Sequence, residues 1–347
     1  MDISVLSSGI KREILLGLKA MIWKSWELKM KVFNLTLNQM LMMFSLMLAG
    51  FILRKKKILP ENSGTVMSRL ETYVFAPALS FITQIVNCNI ENFKKYSVFM
   101  LYSLVLMLIA IGAAYPLAAL FIRKAKGNSD REYLRKVYRY AMAFGNFGFM
   151  GNFLVLGVWG SEMLFKYTMF TFPLSVFCYG WGIPQLIPKE GQGFKATLKS
   201  LFNPPMIGLV LGAVLGLMGA GEYMPDFISK ALDSAGDCMG PVAMILAGFV
   251  IGGYEMKSLV NDKKVYIAAF LRLIVIPSAI AFLMKGINAP LECTLFAIIG
   301  FATPLGLNTV VYPAAFGTDT KPGASMAMIS HTLSVLTIPL MYLIFIA

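Results

Sequence analysis

Ten apolar runs, separated by short links, divide this chain of 347 residues. A helix needs about 20 apolar residues to cross ~30 Å of hydrocarbon. In hydrocarbon each backbone N–H and C=O must be satisfied within its own segment, so such runs predict helices. They fall at 34–53, 66–87, 97–122, 137–158, 163–187, 204–221, 226–252, 264–285, 292–315 and 323–346. The expected fold class is an all-α polytopic membrane protein. Charged residues make up only 14% of the chain, against about a quarter in soluble domains. A surface so poor in charge has to be covered by lipid, which is the first partner expected.

The net charge of +13 would suit nucleic acid, but the basic residues sit in short clusters between the apolar runs, so no nucleic-acid partner is expected. Eighteen lysines and arginines lie on the links after runs one, three, five, seven and nine, including Arg54–Lys57, Arg131, Lys136, Lys257 and Lys264. Five lie on the alternate links: Lys94, Lys95, Lys166, Lys230 and Lys285. Cytoplasmic loops carry the excess of positive charge, which places the chain in the cytoplasmic membrane with both termini outside. Residues 1–33 conflict with this, since they hold Lys11, Arg12, Lys19, Lys24, Lys29 and Lys31. Two readings stay open. One is an amphipathic interfacial helix with Ile10, Ile14, Leu15, Leu18, Ile22 and Trp26 on its apolar side; the other is a segment upstream of the working start at Met30. Cys88, Cys178, Cys238 and Cys293 have no metal-ligand spacing and read as inert thiols. No cofactor or metal is expected.

Landmarks repeat at an offset of about 160 residues. Pro77 in the second run is matched by Pro241 in the seventh, and Pro116 in the third by Pro277 in the eighth. Gly145, Gly148 and Gly151 in the fourth are matched by Gly300, Pro304 and Gly306 in the ninth. Five spans per half would make the second half enter the membrane from the other side, an inverted repeat of the kind found in secondary transporters. The organisation expected is therefore an N-terminal segment 1–33, a five-helix repeat 34–187, a cytoplasmic linker 188–203 and an inverted five-helix repeat 204–347. Broken helices in matching positions point to a binding site. The freed backbone groups are tolerated only inside protein or beside a watery cavity, and half-helix N-termini attract anions.

Several segments resemble the auxin efflux carrier family. The run from Ala143 to Leu154 is similar to its fourth-helix motif, which in bacterial members often reads Asn-Thr-Gly-Phe-Met-Gly-Ile-Pro. Gly50 to Glu61, Tyr73 to Phe81 and Ala302 to Thr309 are similar to the same family, and the resemblance runs from about Met30 to the C-terminus. It implies two inverted five-helix repeats, about ten transmembrane helices in all, with broken helices four and nine crossing near the midplane. It also implies a carrier of organic anions (auxin in plants, dicarboxylates such as malate or malonate in bacteria) that works by an elevator-like motion, often as a homodimer. Asn146 and Gly151 stand at the motif's asparagine and glycine. Phe153, preceded by Asn152, stands where the motif has the proline that would mark the crossover. Pro304, Gly306 and Asn308 match in the ninth span, beside Thr303. Ser80 stands where relatives place a small polar residue facing substrate.

The substrate-site candidates are thus Ser80, Asn146, Gly151, Asn152, Phe153, Thr303, Pro304 and Asn308. Amides in apolar spans also serve helix–helix hydrogen bonding, and Ser80 and Thr303 can bond back to their own helix. Intramembrane charges are functional suspects, Asp233, Asp237 and Arg272 most clearly, with Glu71 and Arg69 nearer a boundary. Asp233 and Asp237, one turn apart, are candidates for proton coupling, and Arg272 for pairing with one of them or with an anionic substrate. His331, the single histidine, reads as a satisfied packing residue. A lone histidine excludes a His-Glu-x-x-His metalloprotease. Ser234 to Asp237 lacks the first glycine of an aspartyl intramembrane protease motif, and no P-loop is present. The chain therefore reads as a non-enzyme. A sodium-coupled symporter of the bile-acid type and a channel or sensor stay open beside a proton-coupled carrier.

Overall fold

The computed structural model describes residues 3–122, 129–187, 201–315 and 319–346, with side chains from Lys29 onward. It is helical, and the single β-bridge among the described residues joins Gly145 to Leu305. Among the described residues ten main helices follow in order. They are α1 (Ile3–Lys55), α2 (63–87), α3 (Ile90–Phe121), α4 in two pieces (α4a, Ser129–Ala143; α4b, 147–159), α5 (161–185), α6 (Pro204–Leu217), α7 (Asp226–Gly252), α8 (263–286), α9 in two pieces (α9a, Leu291–Ala302; α9b, Asn308–Ala315) and α10 (Lys321–Phe345). A short turn of helix, Met256–Val260, precedes α8.

Six helical stretches are long and apolar enough on their own to cross a membrane: Lys29–Lys55, Ile90–Phe121, Phe147–Gln185, Asp226–Gly252, Lys263–Gly286 and Lys321–Phe345. Two shorter apolar helices are Pro204–Leu217 and Leu291–Ala302. Large apolar side chains stand on the outer surface, with Leu101, Ile109, Phe282, Leu336 and Ile344 all more than half exposed. The backbone of 3–33 continues into the first span as one helix, with no separate interfacial element. The basic residues of 123–126 and of 189–199 fall outside the described residues.

The boundaries follow local chemistry. Asn89 and Asn203 cap α3 and α6 by accepting from the N–H groups of Asn92 and Met206, which satisfies amides that have no intrahelical partner. Gly160 separates α4b from α5 at φ 83°, ψ −175°, a conformation closed to residues with a Cβ. The four prolines taken as landmarks behave differently in pairs. Pro116 and Pro241 sit inside continuous helices. Pro77 and Pro277 each follow a wide turn of π-helix, at Glu71–Phe75 and Leu271–Val275. Proline has no N–H to donate and its ring crowds the preceding turn, so the extra residue re-routes the ladder.

Packing cuts across the division at 188–203. Helices α1, α2, α6 and α7 form one group, joined chiefly as α1 with α7 and α2 with α6. Helices α3, α4, α5, α8, α9 and α10 form the other. In the first group Gly208, Gly212 and Gly216 repeat every four residues along α6 and lie on backbone carbonyls of α2. Without a hydrophobic drive between helices in lipid, such close backbone approach supplies the contact. A Cβ at Gly212 would lie 2.5 Å from the carbonyl oxygen of Phe81. Gly212→Leu is therefore expected to destabilise the protein by about 1–3 kcal/mol, read as a lower melting temperature in detergent; an unchanged midpoint would contradict this packing.

Candidate functional site

Interrupting a transmembrane helix frees several N–H and C=O groups, and the site is best built by following where they go. The break in α4 spans 144–146 and that in α9 spans 303–307. The two breaks meet. Gly145 pairs antiparallel with Leu305, and the Asn146 N–H donates to the Pro304 carbonyl at 2.8 Å. The Leu305 N–H donates to Ser330 Oγ of α10 at 3.0 Å, and that hydroxyl donates to the Met326 carbonyl at 2.7 Å. Gly145 has to be glycine here, because a Cβ would fall 2.6 Å from the Thr303 carbonyl oxygen.

The carbonyl ends of both first halves converge on one guanidinium. Arg272, 1% exposed, donates through Nη1 to the Met142 and Ala143 carbonyls at 3.2 Å, and through Nη2 to the Gly300 carbonyl at 3.4 Å. Its plane lies over the Phe301 ring. A cation at a helix C-terminus faces the negative end of the dipole, and here a single cation serves two such ends. The expectation that Arg272 pairs with Asp233 or Asp237 is replaced by this arrangement. Both aspartates are exposed on α7, and neither lines the cavities described next.

The N-terminal ends of the second halves face the other way, into a cavity between the two helix groups. The first turn of α4b (Phe147, Gly148, Phe149) and the first residue of α9b, Asn308, line it. So do Asn146, Asn152 and Ser80, and the α5 side chains Thr168, Thr171 and Ser175. No charged side chain is among its lining residues. Asn146 Nδ2 donates to His331 Nε2 at 3.4 Å; the ring's other nitrogen lies 2.7 Å from the Ala327 carbonyl, which can only accept, so that nitrogen carries the proton. Asn308 Nδ2 donates to the Tyr140 hydroxyl at 2.9 Å. The Asn152 carbonyl oxygen is buried without a partner.

A family model described as membrane transport protein matches residues 35–197 and 192–342. The chain belongs to this family, that of the auxin efflux carriers. An uncharacterized transporter of Methanocaldococcus jannaschii is 26% identical over 318 residues, covering 88% of this chain and 97% of the relative. An uncharacterized transporter of Methanothermobacter thermautotrophicus is 22% identical over 300 residues, covering 85% and 93%.

In this transporter the sequence candidates separate by position. Ser80, Asn146, Asn152 and Asn308 share the cavity. Thr303 and Pro304 belong to the break itself, and Thr303 Oγ1 bonds back to the Gly300 carbonyl. Gly151 is buried against the Tyr167 hydroxyl, which donates to the Phe147 carbonyl. Phe153 lies outside the cavity lining. It does not mark the break, which lies at 144–146, and its ring packs on Gly240 of α7, where any Cβ would collide with it. Its carbonyl accepts from Gln39 Nε2 at 3.2 Å. The α5 hydroxyls had a legible signal, since positions 168, 171 and 175 share one helical face. Tyr140 had none, because what it faces is set by other helices, and Glu71 was legible only as a charge near the boundary of its run. Arg272→Ala removes the donor from the Met142 and Ala143 carbonyls and leaves the Gly300 carbonyl with Thr303 Oγ1; it should cost about 3 kcal/mol, measured by thermal unfolding in detergent. Arg272→Lys should recover only part of that loss, since one ammonium lacks the planar fork that reaches three acceptors.

Proposed function

We propose that this transporter is a carrier for a small organic anion, a carboxylate, held where the breaks of α4 and α9 meet. The observation that carries this reading is a cavity walled by two half-helix N-termini and three amides, with no lysine or arginine among its lining residues. The positive ends of helices and unpaired N–H groups bind anions without a formal charge. An anion held this way is desolvated by oriented dipoles and can leave again, which a carrier requires. Because the cavity lies between the two packing groups, the reading extends to an elevator-like cycle in which α3–α5 and α8–α10 move against α1, α2, α6 and α7. The distribution of basic residues on the links supports a cytoplasmic-membrane carrier with both termini outside.

Counterflow in proteoliposomes with labelled malate, malonate, citrate and indole-3-acetate tests the assignment. Saturable exchange of one of them is expected; flux that neither saturates nor shows counterflow would indicate a channel. Each amide contributes a hydrogen bond to a charged group, about 1.5–3 kcal/mol. The Asn146→Ala, Asn308→Ala double variant should therefore lose about a hundredfold or more in affinity. Full-rate transport by that variant would remove the basis for this site.

A further inference from the structure

One buried carboxyl among the described residues is not used by the binding site. Glu71 opens the wide turn Glu71–Phe75 of α2, where the Ala76 N–H reaches back five residues to the Glu71 carbonyl. Its side chain is 1% exposed, and neither carboxyl oxygen has a hydrogen-bond partner. It lines a cavity together with Asn308. That cavity shares the lining residues Phe149, Tyr179, Pro205 and Asn308 with the anion cavity, so the two are neighbours. On its other side it shares Ser68 and Leu246 with an open groove that carries Arg54, Glu61 and Arg69.

What surrounds this carboxyl decides what it can do. The titratable groups facing it are Tyr179 from α5 and Tyr312 from α9b. From α6 and the turn before it come Pro205 and Asn203, and from α7 Ala243 and Leu246, none of them ionisable. No cation lines the cavity; Arg54 and Arg69 line the neighbouring groove, where Arg54 is paired with Glu61 at 3.0 Å. An ionised carboxylate buried with no partner is strongly disfavoured and is stable only with a proton or a cation on it. Next to Asn308 it would also repel an incoming anion through a poorly screened space. With the proton on, the repulsion is gone and the carboxyl has an O–H to donate.

We propose that Glu71 is the proton-binding site of the carrier, and that one proton travels with each anion. This rests on the carboxylate reading above. A proton binds a Glu71 carboxyl oxygen on one side of the membrane, the anion then occupies the crossover cavity, and both leave on the other side as the O–H bond breaks. Nothing is oxidised or reduced.

The test uses full-length protein in proteoliposomes. For one proton per singly charged anion, an inward pH gradient should drive about tenfold accumulation per pH unit. Glu71→Gln should still exchange substrate but lose this accumulation and its pH dependence, while Glu71→Asp keeps it. The exposed acid variants Asp233→Asn and Asp237→Asn should accumulate substrate as the wild type does. Accumulation by Glu71→Gln equal to wild type would overturn the proposal, as would uptake driven by a sodium gradient and indifferent to pH. An independent readout needs no substrate: infrared spectra of purified protein should show a protonated-carboxyl C=O band at neutral pH that Glu71→Gln removes. If that band is common to both proteins, Glu71 is not the site, whatever happens to Glu71→Gln in transport. If wild type exchanges no carboxylate yet the band is lost in the variant, the substrate assignment fails and the proton site stands.

Discussion

Backbone groups in hydrocarbon have no water to fall back on, and two interrupted helices put an unusual number of them in one place. The rest of the structure is arranged around meeting that demand. Three carbonyls go to Arg272, one N–H to Pro304 and another to Ser330. These contacts come from α8, α9 and α10 onto α4 and α9, so the breaks are held by helices from distant parts of the sequence. A buried guanidinium without a carboxylate would ordinarily be costly. Here the negative ends of two helix dipoles take the place of the counter-ion.

The same arrangement gives the site its polarity. Once the carbonyl ends are bound by Arg272, the N–H ends of α4b and α9b are left to face the cavity, and the polar groups around them are neutral. Glu71 and Arg272 stand in related surroundings. Each lies in a wide turn shortly before a proline, Pro77 or Pro277, and each is 1% exposed. Their partners differ. Arg272 is hydrogen-bonded to the crossover, whereas the Glu71 carboxyl lines the neighbouring cavity with no hydrogen-bond partner among the described residues. The proline in each case removes a ladder donor, and the extra residue in the turn makes room for a charged side chain inside the membrane.

Small residues decide how closely the two helix groups are built. Gly208, Gly212 and Gly216 let α6 lie on α2, and Gly248 and Gly50 do the same for α7 and α1. Gly240 accommodates the Phe153 ring at the contact between groups. The departure from the family motif at Phe153 is thereby absorbed by packing, and the amide-lined cavity is left open beside it.

Much of this was legible in the sequence, for a definite reason. Apolar runs of membrane length dictate helices because no other structure satisfies a backbone in lipid, and glycine and proline clusters in the fourth and ninth runs indicated interruptions. The amides Asn146, Asn152 and Asn308 stood out because polar side chains are rare in such runs. Where the break falls, what Arg272 bonds to and which groups line the cavity depended on tertiary contacts, because a freed carbonyl takes whichever donor another helix brings within reach. Asp233 and Asp237 read as candidates for proton coupling because they fall in an apolar run, and they lie on an exposed face of α7. Glu71 looked like a boundary residue, yet the packing of α2 against α6 and α7 encloses it. The sequence by itself determined that this chain is a bundle of membrane helices with two breaks. Only the tertiary structure decided which charges are enclosed, since burial in a bundle is set by neighbouring helices rather than by the hydropathy of the helix that carries the charge.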